Sequence, residues 1–163
     1  MLRPILRHLE FSQIGGIRLA SFRDDESEFG SAMRGSLDLI RRISTTRYDR
    51  TVANLEWIVS SSLPAKFGGL YANPTNTCLL DFNLHWYKKN PDYMEAFYAK
   101  IIVHEATHGL LYRRGIKRRK RNRMRIERIC RNEENRFALK LNKIEPGLGN
   151  QLYEEFDPAI WES

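Results

Sequence analysis

The sequence predicts an α+β fold in which a small antiparallel or mixed sheet precedes two long helices. Short apolar runs bounded by turn-forming residues indicate strands in the first half of the chain. Apolar residues then recur at spacings of three and four, as on one face of a helix, over roughly 22 positions and again after residue 125. At 163 residues, we expect one domain spanning residues 1–163, with about 70% of its unfolded surface buried.

In chain order, the first expected element is a strand over residues 14–20, with Gly15 and Gly16 marking a turn at its entry. Apolar residues at helical spacing then predict a helix over residues 26–43. Three strands follow at residues 55–59, 69–72 and 77–82, and residues 73–76 form the turn between the last two.

Residues typical of helix ends mark both termini of the first long helix. Asn90 suits the N-cap, Pro91 the first helical position and Asp92 the positive end of the helix dipole. Arg113 suits the negative end, and Gly115 permits a left-handed exit from the helix. A second helix should carry the apolar positions between residues 126 and 144. After it, residues 153–161 are expected to pack as a C-terminal arm.

The last third of the first long helix contains the pattern His-Glu-x-x-His. His104 and His108 are four residues apart, so their imidazoles project from the same face of a helix and can bind one Zn²⁺. Glu105 lies beside that face, where its carboxylate can take a proton from a zinc-bound water. The flanking residues are apolar, and burying these groups there is costly without a compensating partner. The pattern therefore predicts a zinc site that hydrolyses its substrate.

A catalytic zinc site needs a third protein ligand. His8 and His85 both precede the helix, and the metzincin arrangement is excluded because Leu111 and Arg114 stand where that class has glycine and histidine. In the other common arrangement a glutamate comes from a second helix. The chain offers three such residues, which are Glu127, Glu133 and Glu134.

Helical phase separates these three glutamates. With Ile126 as the origin, the expected buried face is centred on that residue and includes Ile129, Cys130, Phe137, Leu141 and Ile144. Glu133 lies about 20° from this centre, whereas Glu127 and Glu134 lie near the edge. We therefore predict Glu133 as the third zinc ligand, with Glu134 as the second choice. The alternative is that Glu133 pairs with a nearby arginine.

The two motifs together resemble a known family. His104–His108 followed by Glu133-Glu134-Asn135-Arg136-Phe137-Ala138 is similar to the gluzincin metallopeptidases, particularly the ImmA/IrrE-like group. The resemblance covers residues of about 70–141 and implies a zincin-like catalytic core, with Glu133 in the place of the third zinc ligand. It also implies a sheet whose edge strand aligns a peptide substrate. Glu134 stands where the family usually has alanine.

Basic residues are concentrated in one part of the chain, which has a net charge of +7 overall. Residues 113–131 contain eleven Lys and Arg against one acidic residue, and the rest of the chain is slightly acidic. An exposed loop at residues 113–125 is expected near the mouth of the site. It either attracts an anionic partner, such as an acidic protein segment, nucleic acid or anionic lipid, or serves only as a solvated surface.

Two further features bear on location and chemistry. Cys78 and Cys130 lie on separate predicted elements, so free buried thiols are expected, and no apolar run is long enough to cross a membrane. A cytoplasmic location is the default expectation. Four side chains are conceivable donors to an oxyanion but are more typical of core or surface positions: Tyr71, His85, Tyr112 and Tyr153.

The sequence thus predicts a zinc-dependent metallohydrolase, most consistent with a peptidase, in which Glu105 is the catalytic base and His104, His108 and Glu133 bind Zn²⁺. Two alternatives stay open. One is a basic nucleic-acid-binding or adaptor protein whose metal is structural or absent. The other is an inactive zincin that keeps the site but lacks a substrate groove.

Overall fold

A mixed five-stranded sheet lies against a layer of helices in the computed structural model, which describes residues 5, 6, 8–64 and 68–152. The strands are β1 (Glu10–Ile14), β2 (Ile17–Ser21), β3 (Trp57–Ser60), β4 (Gly69–Ala72) and β5 (Thr77–Leu80). The helices are α1 (Glu26–Ile43), α2 (Thr45–Asn54), α3 (Leu84–Lys89), α4 (Pro91–Arg113), α5 (Arg123–Ile144) and α6 (Leu148–Leu152), with a 3₁₀ turn at Lys120–Asn122 before α5.

The strand order across the sheet is β1-β2-β3-β5-β4. Strand β1 pairs antiparallel with β2, the central pairs β2–β3 and β3–β5 are parallel, and β4 pairs antiparallel with β5. The described residues therefore form an α+β domain with a mixed sheet, as predicted. Strand β4 is one of the two sheet edges.

Side chains alternate between the two faces of the sheet, as the pleat requires. On β3, Ile58 faces the main core, which the sheet shares with α1, α4 and α5. Trp57 and Val59 face the opposite side, where they pack with Leu6 in a smaller cluster. The larger core thus lies between the sheet and the helices, and it holds the long helices in place.

Helix α4 is the central element of the helical layer and packs against five other helices and against β4 and β5. Its predicted boundaries are confirmed. The Asn90 side chain accepts a hydrogen bond from the Tyr93 N–H at 3.3 Å, Pro91 begins the helix, and Gly115 follows it with φ +80°. Being surrounded on several sides, α4 buries polar as well as apolar side chains, including Lys100, His104, Glu105 and Thr107.

Most predicted elements are confirmed, and the differences have local causes. The expected strand at 14–20 is a hairpin, because Gly15 and Gly16 adopt positive φ (+57° and +89°) between β1 and β2. Helix α2 was not predicted, since it is polar and buries fully only Thr51 and Asn54. The predicted arm at 153–161 lies outside the described residues. Within the described ranges, no helix has the length and apolar character needed to cross a membrane.

Candidate metal centre

The last third of α4 places His104, Glu105 and His108 at the bottom of a cavity. The two histidines point the same way, as their spacing requires, and their Nε2 atoms lie 3.1 Å apart. His104 and Glu105 are 7% and 5% exposed. The structure thus brings all three predicted side chains to the same cavity.

The third group at this point is Glu127, from the first turns of α5. Its Oε2 atom lies 3.4 Å from His104 Nε2 and 3.3 Å from His108 Nε2. The Glu127 side chain is only 2% exposed, and its other oxygen, Oε1, accepts a charged contact from Arg118 Nη2 at 3.0 Å. Arg118 therefore fixes the carboxylate so that one oxygen stays directed at the two imidazoles.

These three donor atoms fit a zinc ion. Zinc binds nitrogen and oxygen ligands at about 2.0–2.2 Å in a tetrahedron, in which neighbouring ligand atoms are about 3.3–3.5 Å apart. The observed separations of 3.1, 3.3 and 3.4 Å are close to this value. Three protein ligands would leave the fourth position of a tetrahedral zinc ion for water, for substrate or for another nearby donor.

Glu134 holds the first histidine in position. His104 Nδ1 donates to Glu134 Oε2 at 2.6 Å, which directs the other ring nitrogen, Nε2, into the site. The second carboxylate oxygen of Glu134 contacts Arg131 and lies 3.7 Å from Lys100 Nζ. A carboxylate that orients a ligating histidine in this way also makes the imidazole a stronger ligand.

The structure does not bring Glu133 to the histidines. Its Oε2 atom contacts Arg50 at 2.9 Å and Arg47 at 3.4 Å, and its Oε1 atom contacts Arg136 at 2.9 Å. The prediction that Glu133 completes the site is therefore wrong, and the alternative of pairing with arginines is the one observed. Glu134, the second choice, contacts a histidine but through the nitrogen that faces away from the site.

The error lies in the helical phase assigned to α5. Its buried residues are Ile126, Glu127, Cys130, Glu134, Phe137, Ala138 and Leu141. At 100° per residue this face is centred about 60° from Ile126, because Ile129 is only partly buried and Ile144 is 54% exposed. The sequence contains a signal for the correct face, because residues at alternating spacings of three and four form one continuous stripe when the two glutamates are counted as buried. The residues of this stripe are Glu127, Cys130, Glu134, Phe137 and Leu141.

Cys130 is a further group beside the two imidazoles. Its sulfur and one nitrogen of each histidine lie within 4.8 Å of one another, so a metal ion could contact all three. Burial raises the pKa of this thiol, and the charges of Glu105, Glu127 and Glu134 raise it further. Both cysteines are free and buried, as predicted.

The charges of the carboxylates around the site favour the binding of a cation. Burial opposes the charged form of His104, yet hydrogen bonds to Glu127 and Glu134 outweigh it and raise its pKa to about 10. Burial likewise opposes the charged form of Glu127, but the two histidines lower its pKa. The pKa of Glu105 is raised, mainly by burial. The carboxylates thus already stabilise positive charge at the point where the three donor atoms meet.

A cavity of about 480 Å³ opens above these side chains. One wall is the edge strand β4, and Gly69 lets it approach α4 closely, since a Cβ there would lie 3.1 Å from Glu105 Oε1. Tyr71 and Tyr112, two of the candidate oxyanion donors, also line the cavity. His85 is on α3 beside Trp86, and Tyr153 lies outside the described residues.

Comparisons of this chain with models of protein families, with curated proteins and with solved structures found no match. The resemblance to gluzincins therefore stays a prediction based on two short motifs. The interpretation of the site depends on its own geometry.

Proposed function

We propose that the protein is a zinc-dependent hydrolase whose metal ligands are His104, His108 and Glu127. The observation that carries this proposal is the meeting of three donor atoms, all within 3.4 Å of one another, at the bottom of a cavity. This ligand set replaces the one predicted from helical phase and from the family resemblance. The cavity also favours an active site over an inactive zincin.

The chemistry follows from the groups around the cavity. When bound, zinc supplies Lewis acidity that polarises a carbonyl group and lowers the pKa of a water molecule. Glu105 lines the cavity, and among the described residues no hydrogen-bond donor contacts its carboxylate. It is therefore available to accept a proton from the attacking water. As the C–N bond of an amide breaks, the same carboxyl group passes that proton to the leaving nitrogen.

An extended peptide is the substrate that best suits the shape of the site. Within the part of the chain that the structure describes, β4 is an edge of the sheet with a neighbouring strand on one side only, and Gly69, Leu70 and Tyr71 line the cavity. A peptide that pairs with such an edge gains main-chain hydrogen bonds and is held straight. A peptide paired with β4 would have one of its amide bonds near the Glu105 carboxylate. These features support a peptidase over other hydrolases.

Glu105→Gln tests the mechanism. The substitution keeps the size of the side chain but removes the proton acceptor, so hydrolysis of a mixed peptide library should fall by about 10²–10⁴-fold. Zinc content, measured by elemental analysis, should stay at one ion per chain. Glu145→Gln is the matched control, because Glu145 pairs with Arg42 away from the cavity. Undiminished hydrolysis by Glu105→Gln would reject the mechanism.

A further inference from the structure

The rim of the cavity is strongly basic. Four cationic side chains line it: Arg118, Arg119, Lys120 and Arg123. The first three are exposed, and all belong to the segment between α4 and α5 or to the start of α5. The acidic residues that line the same cavity are Glu105 and Glu127. Three of the cationic side chains are therefore at the exposed part of the cavity, while its acidic side chains are buried.

The acidic groups at the bottom do not neutralise this rim. Glu127 is held by Arg118 and the two histidines. Among the described residues, no carboxylate forms an ion pair with Arg119 or Lys120. A guanidinium has five N–H donors, so Arg118 also keeps donors for a second acidic group. Helix α5 begins at Arg123, which adds the positive end of a helix dipole at the same place.

We propose that this rim is a specificity subsite that binds an aspartate or glutamate side chain of the peptide substrate. The inference rests on the proposed function, since it assigns the substrate class of that site. The acidic residue lies at least one position away from the bond that is cleaved, because Arg119 and Lys120 are exposed whereas Glu105 is buried. An extended chain advances about 3.3 Å per residue, so the next positions of a bound peptide reach the rim.

The dimensions of the site favour a peptide over a nucleic-acid duplex as the anionic partner. A cavity of about 480 Å³ admits a few residues of an extended chain, whereas a duplex is too wide to enter it. The edge of β4 offers main-chain hydrogen bonds to a peptide and no contact that is specific to a nucleic-acid base. Nucleic acid would instead contact basic residues over the whole segment, including those that do not line the cavity.

The test measures binding separately from cleavage. Zinc-loaded Glu105→Gln is titrated against a labelled peptide with a central run of glutamates and against the same peptide with glutamines, with fluorescence anisotropy as the readout. We expect the glutamate peptide to bind about five- to tenfold more tightly, as two partly exposed charge pairs would give. When Arg119→Glu and Lys120→Glu are added to this variant, the preference for the glutamate peptide should disappear. The variant should then prefer the same peptide with lysines in the central run.

The matched control is Lys117→Glu with Arg121→Glu in the same background. Both residues are exposed in the same segment, do not line the cavity, and change the net charge equally. This control should keep most of the preference. If both double variants lost the preference for the glutamate peptide equally, the subsite would be overturned. The preference would then come from the long-range positive field of the whole segment. Tighter binding of a short DNA duplex, lost in both double variants, would overturn it in favour of nucleic acid.

Cleavage of the peptide library separates this inference from the proposed function. Wild-type protein that cleaves the library, with acidic residues enriched near the cleaved bond, supports both. Cleavage without any acidic preference, together with equal binding of the two peptides, overturns the subsite alone. Preferential binding of the glutamate peptide without cleavage supports the subsite and contradicts the hydrolase.

Discussion

Exchanging one glutamate of α5 for glutamine distinguishes the two possible third ligands. Glu127→Gln and Glu133→Gln remove the same charge from the same helix, six residues apart. A structural zinc site with four ligands binds with about 10–16 kcal/mol, or roughly 2.5–4 kcal/mol per ligand, so losing one ligand should weaken zinc binding by about two to three orders of magnitude. We expect that loss for Glu127→Gln only.

Glu133→Gln should change folding stability instead. Arg47 is 11% exposed at its side chain and would lose its charged partner. Burial already lowers the pKa of Arg47, while the charge of Glu133 counteracts this. The substitution should therefore cost about 1–3 kcal/mol of folding free energy.

Zinc affinity is measured by competition with a chromophoric chelator, and folding by thermal unfolding of the same metal-free samples. The second measurement shows whether a variant that lacks zinc is still folded. If Glu133→Gln released zinc while Glu127→Gln retained it, the arrangement of α5 described above would be refuted.

Three other substitutions give separate outcomes. Cys130→Ala should retain zinc at the wild-type stoichiometry by elemental analysis, and its loss would make the thiol a required ligand. Glu134→Gln should weaken zinc binding by about 10–100-fold in the chelator competition, because the carboxylate that orients His104 is gone; an unchanged affinity would contradict that role. Gly69→Ala places a Cβ 2.4 Å from Ile101 Cγ2, and this clash should reduce the folding free energy by about 1–3 kcal/mol. The reduction is measured as a lower Tm, and an unchanged Tm would contradict the close approach of β4 to α4.

The helices and strands that the sequence predicts most accurately are those with strong local sequence signals. The boundaries of α1 and β4 agree with the predicted ranges 26–43 and 69–72, and α4 begins and ends at the predicted cap residues. Helix α2 lacks such a signal, because its buried residues are polar and no apolar stripe marks it. Its role is visible only in three dimensions, where it supplies Arg47 and Arg50 to Glu133.

Within the candidate site, the part carried by one helix was predictable and the part carried by a second helix was not. His104, Glu105 and His108 have positions fixed by the geometry of a single helix. Glu127 meets them only through the rotation of α5 about its axis, and apolar residues alone determine that rotation poorly. Ile144 belongs to the predicted buried stripe, yet it is 54% exposed at the end of the helix.

Buried charge is the more informative signal in this chain, because burying an ionised group is costly unless a partner compensates it. Glu127 and Glu134 are both 2% exposed, and each contacts a histidine on one side and an arginine on the other. The arginines balance one negative charge each. Glu105 is also buried, and among the described residues it has no ion-pair partner. Glu105 lines the same cavity as the two imidazoles and Glu127. A cation held there would therefore compensate the burial of this carboxylate as well.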